Sequence, residues 1–186
     1  MLENLFLNLP SLETERLILR KIEYADRFDI FEYSKNPEVS KYVLWDAHKS
    51  EIDTIAFLNL IYENYNKNEP GPWGIELKEN SKIIGTIGIV NFNKDENFAE
   101  IGFVLSYDYW NKGYTTEAIL ETVKFCFSVI KLKKIIARCK PENFRSERVL
   151  LKSGFKYVGI LNDNLFVKGI LSDMKLFEIY NPVNVL

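Results

Sequence analysis

The hydrophobic period changes twice along this chain, and that change limits the folds open to it. Trp73 to Leu77, Lys82 to Phe92 and Phe98 to Leu105 read as β-like runs. Lys78-Glu79-Asn80-Ser81 and Asn93-Lys94-Asp95-Glu96-Asn97 separate them, polar clusters of hairpin length. Three consecutive strands joined this way form an antiparallel meander. On either side the period is helical. Tyr24 to Ser34 reads as a helix that stops before Pro37, and Asn36-Pro37 reads as the cap and first-turn proline of a short helix through Tyr42. Ser50 is placed to cap a longer helix to about Asn66, with Ile52, Ile55, Ala56, Leu58, Tyr62 and Tyr65 as its apolar residues. Beyond the meander, Thr115 to Ile130 carries the stripe Ile119, Thr122, Val123, Cys126, Phe127, Ile130. A strand at Leu17 to Leu19 opens the pattern. Ile135 to Cys139 is a further strand, and Asn143 to Ser153 is a helix closed by Gly154. Two last strands fall at about Lys156 to Leu161 and Lys175 to Tyr180. The order β-α-α-β-β-β-α-β-α-β-β predicts an α+β (mixed α/β) domain, with one twisted, mostly antiparallel sheet flanked by helices.

No linker, repeat or low-complexity tract divides residues 1–186, so one domain is expected. A chain of this length buries roughly 70% of the surface its unfolded form exposes and needs no covalent staples. Cys126, Cys139 and the single histidine, His48, are too few for a disulfide framework or a zinc site. No metal is expected, and both cysteines read as buried thiols in a reducing, cytoplasmic setting. No apolar run exceeds four residues, and Glu3, Glu13 and Glu15 replace the basic start of a signal peptide, so no membrane association is expected. A net charge of −2 argues against direct nucleic-acid binding.

The chemistry concentrates at a strand-to-helix junction. Ala99 to Leu105 feeds the loop Ser106 to Asn111, and Lys112-Gly113-Tyr114-Thr115-Thr116-Glu117-Ala118 then opens a helix. A helix start leaves about four backbone N–H groups unpaired and carries partial positive charge. Gly113 permits a tight turn and close approach. The junction therefore reads either as an ordinary glycine turn or as a cradle for phosphate oxygens. The pattern GxxxxGK[ST] is absent, so a P-loop is a poor fit. After the next strand, Lys140-Pro141-Glu142-Asn143-Phe144-Arg145-Ser146 places Asn143 as a helix cap with Ser146 at the third position.

In order and spacing, the chain resembles the GCN5-related N-acetyltransferase (GNAT) superfamily from about Leu12 to Tyr180. Within it, the resemblance is to the ribosomal-protein N-terminal acetyltransferase branch, the RimJ/RimL type. The marks begin with Leu12-Glu13-Thr14-Glu15-Arg16-Leu17, Asn36-Pro37-Glu38-Val39, Trp73-Gly74-Ile75 and Ile84-Gly85-Thr86-Ile87-Gly88. They continue with Ala99-Glu100-Ile101-Gly102-Phe103, Trp110-Asn111-Lys112-Gly113-Tyr114-Thr115-Thr116-Glu117-Ala118 and Asn143-Phe144-Arg145-Ser146. Lys152-Ser153-Gly154-Phe155 and Gly169 with Asp173 close the set.

The resemblance implies an acetyl-CoA-dependent N-acetyltransferase with coenzyme A (CoA) in a V-shaped splay between the strands Ala99 to Leu105 and Ile135 to Cys139. The backbone of Phe103, Val104 and Leu105 would pair with the pantetheine arm. The amides of Lys112, Gly113, Tyr114, Thr115 and Thr116 would cradle the pyrophosphate. Asn143 would bond the pantetheine region, and Ser146 would protonate the departing sulfur. Two positions depart from the superfamily pattern. Thr115 stands where a smaller residue is usual, and Leu150 stands where many members carry a tyrosine acid.

Acetyl transfer needs a neutral amine, a polarised carbonyl and a protonated thiolate. Glu100, mid-strand among apolar residues, is the candidate general base, acting directly or through water. A backbone N–H near Val104 is the candidate oxyanion donor. Tyr42, Trp45, Trp73, Phe92 and the loop at Asp163-Asn164 are expected to flank the acceptor, with His48 on a surface loop. An α-amine titrates at about 7.7–8.0 and a lysine side chain at about 10.4, so the α-amine offers roughly several hundredfold more neutral nucleophile at pH 7. That favours a protein N-terminal amine as acceptor. A small-molecule amine (amino acid, polyamine or aminoglycoside) and a non-catalytic CoA-binding sensor remain alternatives. Exposed strands near the C-terminus leave pairing with a second copy, a homodimer, open.

Overall fold

The three β-like runs of the middle third pair in chain order, as their polar separators require. In the computed structural model, which describes residues 4–182, they are β3 (Pro72–Leu77), β4 (Lys82–Asn93) and β5 (Phe98–Leu105). β1 (Leu12–Glu13) and β2 (Leu17–Lys21) extend this meander on one side. β6 (Lys134–Cys139), β7 (Lys156–Val167) and β8 (Ile170–Tyr180) complete an eight-stranded sheet of order β1-β2-β3-β4-β5-β6-β8-β7. Every neighbouring pair is antiparallel except β5 and β6, which run parallel.

That parallel pair is short. Phe98, Ala99 and Glu100 face Lys134, Ile135 and Ile136, and the pairing stops there. Beyond it, β5 pairs only with β4, and Ala137 to Cys139 pair only with β8. The expected splay is present. Gly85 is needed beside it, because a Cβ there would lie 2.2 Å from the Val104 carbonyl oxygen.

Helices cover both faces of the sheet. α1 (Arg27–Ser34), α2 (Pro37–Ser40) and α3 (Glu51–Asn66) lie on one side, where α1 packs on β4 and α3 on α1. α4 (Tyr114–Phe125) covers the other side, where Phe125 meets the Trp73 ring edge-on at 5.7 Å. α5 (Phe144–Lys152) packs against α4, β6 and β7. Asn36 caps α2 through Glu38 N–H at 3.0 Å, but α2 ends at Ser40, short of Tyr42. Ser50 and Asp53 form a capping box for α3.

Three expectations are corrected. The buried stripe of α3 is Thr54, Leu58, Ile61 and Tyr65, while Ile52 and Ile55 are exposed. Thr54 holds the inward position because its hydroxyl bonds His48 Nδ1 at 2.8 Å. The helix that opens at Tyr114 is not continuous to Ile130, since its last turn, Cys126–Ile130, widens to π geometry. The final strands are also twice as long as read. Asp163 is not in a loop but at an irregularity inside β7, with φ of 47° and its N–H donated to Asp173 Oδ1 at 3.0 Å. The true turn is Lys168-Gly169, with φ of 52° and 80°, the positive pair that tight hairpins require.

β1 and β7 are the two edge strands of the sheet. Among the described residues, no helix is long and apolar enough to cross a membrane, and no cluster of His, Cys, Asp or Glu is arranged to hold a metal.

Candidate active site

Where β5 and β6 part, the backbone of β5 offers unused hydrogen-bonding groups. Ser106 N–H donates to the Ile84 carbonyl at 2.7 Å. In an antiparallel ladder, bonded and non-bonded pairs alternate, so Val104 and Gly102 spend their groups on Thr86 and Gly88. Phe103 and Leu105 then turn their N–H and C=O groups toward the splay. The Leu105 carbonyl is taken by the Trp110 indole N–H at 2.8 Å. What remains open is the Phe103 N–H and C=O and the Leu105 N–H. The donor expected near Val104 is therefore reassigned to its neighbours, because Val104 N–H faces β4.

A cavity of about 380 Å³ lies beside this open edge. Phe103, Val104 and Leu105 form one wall, and the loop residues Gly113, Tyr114, Thr115 and Thr116 form its end. Asn143 and Ser146 of the α5 start lie across from them, and Tyr42 enters from the α2 side. Asn143 Oδ1 caps α5 by accepting from Ser146 N–H at 3.2 Å, which leaves Nδ2 as a donor to a ligand. Ser146 Oγ makes no hydrogen bond to a described residue. Leu150 is fully buried and contributes nothing to the cavity.

The loop geometry suits an anion. Asn111 and Gly113 both have positive φ, 61° and 85°, so the chain doubles back just before α4 begins. Glu117 in the first turn would offset the positive helix end were it not already engaged. It accepts from Arg16 N–H at 2.9 Å and from Arg16 Nε at 2.7 Å, and its Oε1 also takes the Thr14 hydroxyl. Burial alone would raise this carboxyl, but those bonds outweigh it and hold it below the usual carboxylate range. Arg16 also reaches the Lys112 carbonyl at 3.0 Å and covers the Tyr114 ring at 4.4 Å. The Thr14–Arg16 segment thus latches the loop. Lys112 itself is exposed, points its ammonium at the Tyr109 ring and stands off the cavity wall.

The structure gives Glu100 a different setting from the apolar one expected. It is buried, and both carboxylate oxygens accept from Arg138, Nε at 2.7 Å and Nη2 at 2.8 Å. Arg138 Nη1 in turn bonds Asn164 Oδ1 at the β7 irregularity. Three of the aromatics expected at the acceptor are elsewhere. Trp73 is fully buried against Phe125, with its indole N–H on the Pro10 carbonyl at 2.7 Å, so it belongs to the core under α4. Phe92 pairs across from Ala99, on the same face as Trp73, and packs into that core. Trp45 is half-buried against His48 at 5.3 Å and does not reach the cavity wall. His48 is half-buried, and burial lowers its titration below the usual histidine value despite Asp53 nearby.

Sequence reasoning assigned no role to Arg16, Glu117, Arg138, Arg145 or Arg148. Their signals were present in part. Arg16 lies in the opening motif and Glu117 in the first helical turn. Arg138 pairs with Glu100 across a strand contact that no local pattern announces.

The acetyltransferase (GNAT) domain model matches residues 16–156. The Bacillus subtilis uncharacterized N-acetyltransferase YoaA is 33% identical over 173 residues, 93% of this chain and 98% of that protein. The Escherichia coli [ribosomal protein uS5]-alanine N-acetyltransferase is 24% identical, covering 94% of each chain. The structure of Mycobacterium smegmatis RimJ in complex with CoA-disulfide superposes with a TM-score of 0.81 at 20% identity, over 95% of this chain and 90% of that one. The chain belongs to the GNAT acetyltransferase family. It is an N-acetyltransferase built on a single GNAT domain.

Proposed function

We propose that this protein moves the acetyl group of acetyl-CoA to a protein N-terminal amine. The observation that carries the donor half is the open Phe103–Leu105 backbone, which lies in one cavity with the glycine turn and the start of α4. An extended amide chain can pair with Phe103 and Leu105 as a strand would, and a diphosphate can rest on the amides of 113–116. Asn143 Nδ2 faces the same space. The donor supplies a thioester acyl group. The open backbone N–H groups orient its carbonyl and stabilise charge developing on the oxygen. Ser146 Oγ, without a hydrogen-bond partner among the described residues, gives a proton to the sulfur that leaves.

The acceptor half rests on Glu100. With both oxygens held by Arg138, this carboxylate positions an amine or a water rather than stripping a strongly held proton. Such a site suits an acceptor that is already partly neutral near pH 7, which an α-amine is and a lysine side chain is not. The uS5-alanine relative acts on that kind of amine, by its name. Tyr42 on the α2 side borders the path to it.

The test is acetyl-CoA with a panel of amines, read by thiol release and mass spectrometry. N-terminal peptides of ribosomal proteins should be acetylated at the α-amine faster than polyamines, aminoglycosides or free amino acids. Preference for a small amine would move the assignment to that class. Tight CoA binding with no acceptor-dependent thiol release would leave a sensor.

A further inference from the structure

Opposite the phosphate loop, the cavity carries charges that the diphosphate does not require. Arg145, Arg148 and Lys152 follow one another at helical spacing along α5, and all three border the cavity. The chain has six arginines. Arg16, Arg20, Arg27 and Arg138 each donate to an acceptor within the protein. Arg145, Arg148 and Lys152 donate to none of the described residues. Arg145 rests on the Trp110 ring at 4.6 Å, which fixes its plane beside the loop and leaves its N–H groups free. It also occupies the first turn of α5, the helix end where a cation is disfavoured. Among the described residues, the only carboxylate on the cavity wall is Glu38, from α2.

Backbone amides at a helix start hold a diphosphate without basic side chains. A row of unpartnered cations facing them suits a second and more highly charged group, a phosphomonoester. We propose that Arg145, Arg148 and Lys152 form the subsite for the 3′-phosphate on the ribose of CoA. The row thereby selects acyl-CoA over donors that lack this phosphate, such as dephospho-CoA or an acyl-phosphopantetheine on a carrier protein. This inference rests on the CoA reading above.

Titration calorimetry of the intact protein with CoA and with dephospho-CoA tests it. Wild type should bind CoA roughly ten- to a hundredfold more tightly, the range of charge-assisted hydrogen bonds. The triple variant Arg145→Ala, Arg148→Ala, Lys152→Ala should lose that preference by weakening CoA alone, with dephospho-CoA affinity kept within about twofold. The three side chains are exposed. Should the triple variant nonetheless melt early, Arg148→Gln alone reads the same ratio. Equal affinity of wild type for both ligands overturns the subsite and leaves the CoA reading standing. Equal weakening of both ligands in the variant overturns it too, as general electrostatics. Binding of neither ligand by wild type overturns the CoA reading itself.

Discussion

Glu100 and Ser146 meet the reaction with opposite degrees of freedom. Glu100 is pinned by a guanidinium, while Ser146 Oγ is unengaged among the described residues. Glu100→Gln keeps the shape but removes the charge, so turnover should fall by about a hundredfold with little change in CoA affinity, measured by steady-state rates beside calorimetry. Unchanged turnover would end its part in the reaction. Ser146→Ala should slow turnover at modest cost in affinity, and full activity would reduce it to a first-turn serine. The two cysteines are placed to do nothing. Burial pushes Cys126 up to about 12; burial, then Glu147, push Cys139 up to about 11 against the opposing pull of Lys175. Both thiols should resist alkylation at pH 7.5 in the native state and react at once in denaturant. A fast-reacting native thiol would contradict this placement.

Among the elements, the junction of β2 and α4 bears most on the site. The Arg16–Glu117 pair is partly open to water and is worth no more than about 1 kcal/mol. Arg16→Ala should therefore lower Tm by only roughly 2–4 °C. Its larger effect should be on CoA affinity, because the Lys112 carbonyl and the Tyr114 ring lose their anchor. Glu117 titrates below its unfolded value. Its contribution is complete above the usual carboxylate range and disappears as pH falls through the lowered folded value. Glu117→Gln should accordingly flatten the acid limb of the stability curve, as followed by circular dichroism. Trp73→Ala should behave otherwise. It empties a fully buried site and should cost about 3–5 kcal/mol in denaturant unfolding, with the acceptor KM of the remaining folded enzyme unchanged.

At the scale of the whole molecule, local pattern and long-range pairing contributed unequally to what could be read. The meander, the caps at Asn36, Ser50 and Asn143, and the glycine turn at Gly113 are written in neighbouring residues, and they stand as read. Trp73 misled because an aromatic in a strand gives no sign of which face it takes. That face depends on register with Ile87 and Phe103. Asp163-Asn164 misled because an Asp-Asn pair looks alike whether it turns a chain or, as here with Asp163 at positive φ, kinks a strand. The Arg138 clamp on Glu100 joins residues far apart in sequence and depends on a strand crossover. Family order pointed to residues that line one cavity, while the charges around them became visible only in three dimensions.

The short β5–β6 pairing makes this sheet a zip closed at one end only. Whatever extended molecule lies in the open end supplies rungs that the chain itself omits, and so becomes part of the fabric. If that molecule is the acyl donor, then at a hundred times its Kd it adds about 2.7 kcal/mol of stability. Amide exchange at Phe103 and Leu105 should slow with it. The endurance of the enzyme in the cell would then follow the total supply of CoA, acetylated or not, because the rungs come from the pantetheine arm and not from the acetyl group.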